Sequence, residues 1–179
     1  NPAAVLALGA SLLAAVAAAQ AAAPASCEAR SGARVPAVVE LYTSEGCSSC
    51  PPADRWLSTL KAGPEVIPLA FHVDYWDQLG WPDRLAQPAF SARQRDWQAV
   101  QHTRFVYTPQ TILNGEDWRG WPGTPPAARP AGASAPMLRL VRQGNQVTAS
   151  VEPVAGTTGG ATVAQLTGFW ALVEDDHRS

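Results

Sequence analysis

The sequence predicts a mixed α/β domain followed by an antiparallel β extension, and three observations carry that prediction. Two β-rich runs flank an amphipathic helix between Val38 and Phe71, an Asn114-Gly115 turn follows an apolar run, and a Gly144-Asn145 turn divides two further runs. With 179 residues, 46% of them hydrophobic, the chain can bury one ordinary core. A net charge of −2 and a pI near 5.9, without any run of Lys or Arg, give no electrostatic footprint for nucleic acid or an anionic membrane.

Residues 1–26 carry no charged side chain and include the apolar stretch Val5 to Val16, followed by Ala17-Ala18-Ala19 and Ala21-Ala22-Ala23. Small residues behind a short apolar run read as a signal peptide, which predicts a periplasmic or secreted protein. An uncleaved membrane anchor is the alternative, although the apolar run is short for a spanning helix. Outside the cytosol thiols tend to oxidise. The chain has three cysteines, of which Cys27 is the odd one beside the pair Cys47 and Cys50.

The run from Val38 to Thr43 is β-branched and aromatic and stops at Ser44-Glu45-Gly46, which predicts a strand. Past the cysteines, Ala53, Trp56, Leu57 and Leu60 recur at helical spacing, with Pro51-Pro52 ahead of them and Gly63-Pro64 behind. The run from Val66 to Phe71 completes a βαβ unit, whose crossover makes the strands parallel and brings Thr43 and His72 to the same sheet edge. Tyr75 to Asp83 reads as an aromatic, polar loop. Pro88 opens a helix to about Gln101 with Phe90, Trp97 and Val100 on its apolar side.

Val106 to Leu113 predicts a strand that turns at Asn114-Gly115 and returns through Trp118. Pro122 to Pro136 is a Pro/Gly/Ala-rich linker without a core face. Leu138 to Arg142 and Gln146 to Val151 form a second hairpin, and Leu166 to Val173 reads as a third strand of that meander or a short helix. The expected organisation is therefore a core at 34–121, a linker at 122–136 and a β-rich extension at 137–179.

Cys47-Ser48-Ser49-Cys50 stands where a strand hands over to a helix. Amides and the dipole at a helix N-terminus stabilise a thiolate, which makes Cys47 the candidate nucleophile and Cys50 the resolving thiol. Glu45 opposes that ionisation, and Pro51-Pro52 delay the helix start. The bland alternative is a stabilising disulfide, but so short a loop constrains the unfolded chain little.

These motifs, with Thr108-Pro109 ahead of the Asn114-Gly115 turn, resemble the thioredoxin superfamily. The resemblance implies a thioredoxin-like fold in which Pro109 is cis and faces the dithiol while the Thr108 backbone pairs with an extended substrate. More narrowly, Thr43 to Asp54, His72 to Asp77 and Val106 to Gln110 look like an exported bacterial thioredoxin-like family of unassigned function, the domain of unknown function 1223 type. The activity implied is thiol–disulfide exchange with protein or small-molecule thiols and a redox partner, without a cofactor beyond the dithiol.

Glu40 lies in the first strand, in a place resembling the buried acid that moves protons for the resolving cysteine, with a spacing one residue longer. A carboxylate paired with Arg or Lys is the alternative. His72 and Asp74 point to one face of an extended segment near the cysteines, so either is a candidate to orient or protonate a sulfur. The rival chemistry is metal binding, with Cys47, Cys50 and His72 as a soft ligand set for Cu(I) or Zn(II). Trp76 and Trp81 are the candidate walls of a substrate groove.

Overall fold

The computed structural model describes residues 26–123, 127–132, 136–152 and 168–174. The expected signal segment lies outside the described residues, apart from Ser26. The elements are β1 (Ser26–Arg30), β2 (Arg34–Val35), β3 (Ala37–Thr43), α1 (Pro51–Thr59), β4 (Val66–His72), a 3-10 helix (Asp74–Leu79), α2 (Pro88–Val100), β5 (Gln110–Leu113), β6 (Glu116–Asp117), β7 (Arg129–Pro130), β8 (Met137–Gln143) and β9 (Gln146–Glu152). The chain is thus a mixed α/β protein with several sheets and few helices.

The four-stranded sheet has the order β4-β3-β5-β6. β3 and β4 are parallel with Thr43 opposite His72, while β5 runs antiparallel to β3 with Tyr42 opposite Gln110. Pro68 is accommodated because β4 is an edge strand, where a missing N–H breaks no ladder. Alternation along β3 divides the core. Ala37, Val39 and Leu41 pack on Ala53, Trp56 and Leu57 of α1, whereas Tyr42 packs with Phe71, Val73 and Ile112 beside Phe90 and Trp97 of α2. Burying Leu41 completely contributes roughly 2 kcal/mol.

α2 begins at Pro88 as the sequence predicts, but its inner face is more polar than the apolar spacing suggests. Val100 is 66% exposed, and the buried residues are Ser91 and Gln94. This face meets polar chain rather than an apolar sheet. Gln94 Nε2 donates to the Tyr107 carbonyl and to Gln110 Oε1, each at 2.8 Å, and its Oε1 accepts from the Tyr75 hydroxyl.

β5 is shorter than the predicted strand, starting only at Gln110. The Thr108-Pro109 peptide is cis, as the resemblance implied, and Pro109 has no N–H for a ladder. At the turn Asn114 and Gly115 both take positive φ, 52° and 90°, and Asn114 Oδ1 accepts the Val38 N–H at 3.0 Å. The return strand is brief, but Trp118 still docks, its ring 5.6 Å from that of Trp56. The aromatic segment read as a loop forms the 3-10 helix, closed by Gly80 at φ 101°.

The 122–136 segment is not a bare linker. β7 pairs with β2, Ala128 is buried, and Arg34 donates to the Ala128 carbonyl at 2.8 Å. The β8–β9 hairpin forms as predicted, with Gly144 in its turn. Its third strand comes from the other end of the chain. β1 pairs antiparallel with β8, while the described part of the Leu166 to Val173 prediction, from residue 168, contains no strand. Charge helps select that partner, since Glu28 on β1 holds Arg139 on β8 at 2.7 Å.

Candidate functional site

β3 delivers the chain to Thr43, and a tight turn over Ser44 to Gly46 carries it into Cys47 and Cys50, which are joined as a disulfide. Both sulfur residues are enclosed, Cys47 being only 2% exposed. Cys50 is the N-cap of α1, so Cys47 stands ahead of the helix rather than on its first turn. The expected amide cradle is also depleted. Pro51 and Pro52 have no N–H, and the Ala53 and Asp54 N–H groups both donate to the Cys50 carbonyl.

Side-chain hydroxyls approach the sulfur instead. Thr108 Oγ1 lies 3.3 Å from Cys47 Sγ as donor, and Ser49 Oγ lies at 3.5 Å. Trp76 Nε1 in turn donates to Thr108 Oγ1 at 2.8 Å. Close approach of this tryptophan depends on Gly46, where an added Cβ would stand 3.3 Å from Trp76 Cβ and 3.4 Å from the Trp81 carbonyl oxygen. Trp81 itself is 63% exposed, with its Nε1 donating to Glu45 Oε2. The structure therefore brings Thr108 and Trp76 to the dithiol and leaves the Trp81 ring mostly in solvent.

His72 reaches the expected edge, where its Nδ1 meets Asp83 Oδ2 at 2.6 Å. Asp83 is wholly buried and also accepts the Glu45 and Leu85 N–H groups. Burial works against its ionisation, but the Glu45 amide and the His72 ring outweigh it and hold the carboxyl below its usual range. Asp74 turns away from the cysteines, accepting from the Ser91 hydroxyl on α2. Asp54, one turn beyond Cys50, accepts from Thr43 Oγ1 at 2.7 Å, and burial pushes its carboxyl upward. Sequence reasoning missed Asp54 and Asp83; the available signal for Asp54 was its i+4 spacing from Cys50.

For Glu40 the structure shows the second alternative, the carboxylate paired with an arginine. Glu40 shares its face of β3 with Tyr42 and α2, not with α1, and its carboxylate is enclosed by Arg93 at 2.6 Å, the Tyr42 hydroxyl at 2.8 Å and Trp97 Nε1 at 3.0 Å. Parity along β3 is the cause: Val39 and Leu41 face α1, so Glu40 and Tyr42 face α2. Nor is the metal set assembled: among the described residues no group of three His, Cys, Asp or Glu side chains is arranged to hold an ion. The His72 Nδ1 atom is engaged by Asp83, and both sulfurs are in the disulfide.

The family model described as a protein of unknown function, DUF1223, matches residues 38–163. The chain belongs to the DUF1223 family. The DUF1223 match takes in β3 from Val38 onward, both cysteines, His72, Asp83 and the Thr108-Pro109 strap. No curated protein matches the chain. A crystal structure of a protein from Agrobacterium tumefaciens is 49% identical over 44% of this chain and 35% of that one, with a TM-score of 0.41. The alignment therefore spans about a third of that protein's length.

Proposed function

We propose that this DUF1223 protein is an exported thiol–disulfide oxidoreductase with a thioredoxin-like core, carrying its β1-β8-β9 sheet as an extension of that core. The observation that carries the reading is the enclosed Cys47–Cys50 disulfide at the β3–α1 junction, with the Thr108 hydroxyl on Cys47 Sγ. A short-loop dithiol between the end of a strand and the start of a helix suits exchange better than stabilisation.

In the reducing direction the Cys47 thiolate attacks a substrate disulfide, forming a mixed disulfide and releasing one substrate thiolate. Cys50 then loses its proton and attacks Cys47 Sγ, which restores the internal disulfide and releases the second thiolate. The two protons of the dithiol end on the two substrate thiols. The reverse sequence oxidises a substrate dithiol. Thr108 borders Cys47 through its hydroxyl, and in this reading the Thr108-Pro109 backbone is where an extended peptide would align.

Turnover of a glutathionylated peptide by the glutathione-coupled protein tests the reading. Catalysis well above that of free glutathione, abolished by Cys47→Ser, is expected. A rate no greater than that of free glutathione would overturn it.

A further inference from the structure

An indole N–H donates and cannot accept, so the Trp76 contact occupies a lone pair of Thr108 Oγ1 and leaves the hydroxyl proton free to point at Cys47. The resulting chain, Trp76 N–H to Thr108 O–H to Cys47 Sγ, has a fixed polarity that ends on the sulfur. A neutral disulfide sulfur gains little from such a donor. A thiolate gains much more, because the bond becomes charge-assisted and each donor in a chain polarises the next.

The need for this donor follows from α1, whose prolines remove the usual first-turn amides while the next two bind the Cys50 carbonyl. Trp76 is itself held firmly. Its 3-10 helix is tied to α2 through the Asp74 to Ser91 and Tyr75 to Gln94 contacts, and Gly46 admits it to the cysteine loop.

We propose that Trp76 is a positioning residue for Cys47: acting through Thr108, it fixes a hydroxyl donor on the sulfur and stabilises the thiolate formed when the disulfide is reduced. The inference rests on the exchange reading for its purpose but not for its measurement. The titratable groups around this edge are Glu45 in the cysteine loop, with Arg84 beside it, Asp54 on α1, His72 on β4, Asp77 and Tyr75 on the 3-10 helix, the Tyr75 phenol lying beside the Thr108 hydroxyl, and Asp83 beyond that helix. Among the described residues, the side-chain hydrogen bonds of Cys47 Sγ are with Thr108 and Ser49 alone.

The test is the pH dependence of iodoacetamide alkylation at Cys47 in the reduced full chain, followed by peptide mass spectrometry. Trp76→Phe should lower the thiolate fraction below the midpoint by about fivefold, the scale of one hydrogen bond to a charged group. Thr108→Val should lower it at least as much, Thr108→Ser should keep it near the parent, and Trp76→Phe should add nothing in the Thr108→Val background. An unmoved midpoint, or an equal Trp76→Phe shift with and without the Thr108 hydroxyl, would overturn the relay. If Trp76→Phe does not fold, equal midpoints for Thr108→Val and Thr108→Ser are the overturning result. Alkylation needs no substrate. A chain that shows the relay but catalyses no exchange therefore refutes only the exchange reading, and the converse refutes only the relay.

Discussion

Asp54 and Asp83 show how two carboxylates at one sheet edge can act on stability with opposite signs. Asp54 has its folded-state value raised, chiefly by burial, with Asp83 adding to the rise and the Thr43 hydroxyl, His72 and Arg55 opposing it. The folded chain then holds this proton more tightly than the unfolded chain. Stability is greatest below the unfolded value and declines as pH rises through the folded one. Asp83 behaves inversely, since its lowered value gives stability that is present above the unfolded value and is lost in acid. Asp54→Asn, which keeps an acceptor for Thr43, should raise Tm more at pH 7 than at pH 4, measured by thermal scans at both pH values. An equal gain, or a loss at pH 7, would contradict the assignment. These partnerships were not legible in the sequence, because spacing places a backbone but does not say which distant side chain turns inward. The cysteines and the Thr108-Pro109 pair were legible, since their chemistry is written in contiguous motifs.

At the scale of elements, the βαβ unit followed directly from hydrophobic period and turn residues, and its parallel register brings Thr43 and His72 together. Where the buried face is polar, that method fails. Period counting on α2 favours Phe90, Trp97 and Val100, yet Gln94 is 0% exposed and bridges α2, the 3-10 helix and the strap before β5. Gln94→Leu leaves the Tyr107 carbonyl and Gln110 Oε1 without their shared donor. The substitution should cost about 2–4 kcal/mol in urea unfolding. It should also speed amide exchange in the Asp74–Leu79 helix, which loses the Tyr75 anchor. Unchanged exchange in that helix would show that Gln94 does not support it. Glu40 teaches the related lesson for a strand. Its residue type suggested proton transfer, but its parity along β3 commits it to Arg93, whose guanidinium also lies 3.8 Å from the Phe169 ring centroid.

Over the whole molecule, the extension illustrates what local reading cannot see. The β8–β9 hairpin was visible from its turn, but the strand completing its sheet comes from residues 26–30, a pairing of high sequence separation. Cys27 lies in that strand opposite Arg142, free and exposed, apart from the enclosed dithiol. The molecule thus holds a free surface thiol and a shielded pair, and the account assigns exchange to the pair. The most direct test incubates reduced Cys50→Ser, in a Cys27→Ser background, with oxidised glutathione and weighs the product. A stable mixed disulfide at Cys47 is the predicted result, with far slower capture at Cys50 in the corresponding Cys47→Ser chain. Preferential capture at Cys50, or no adduct at either cysteine, would contradict the assignment of Cys47 as the attacking thiol.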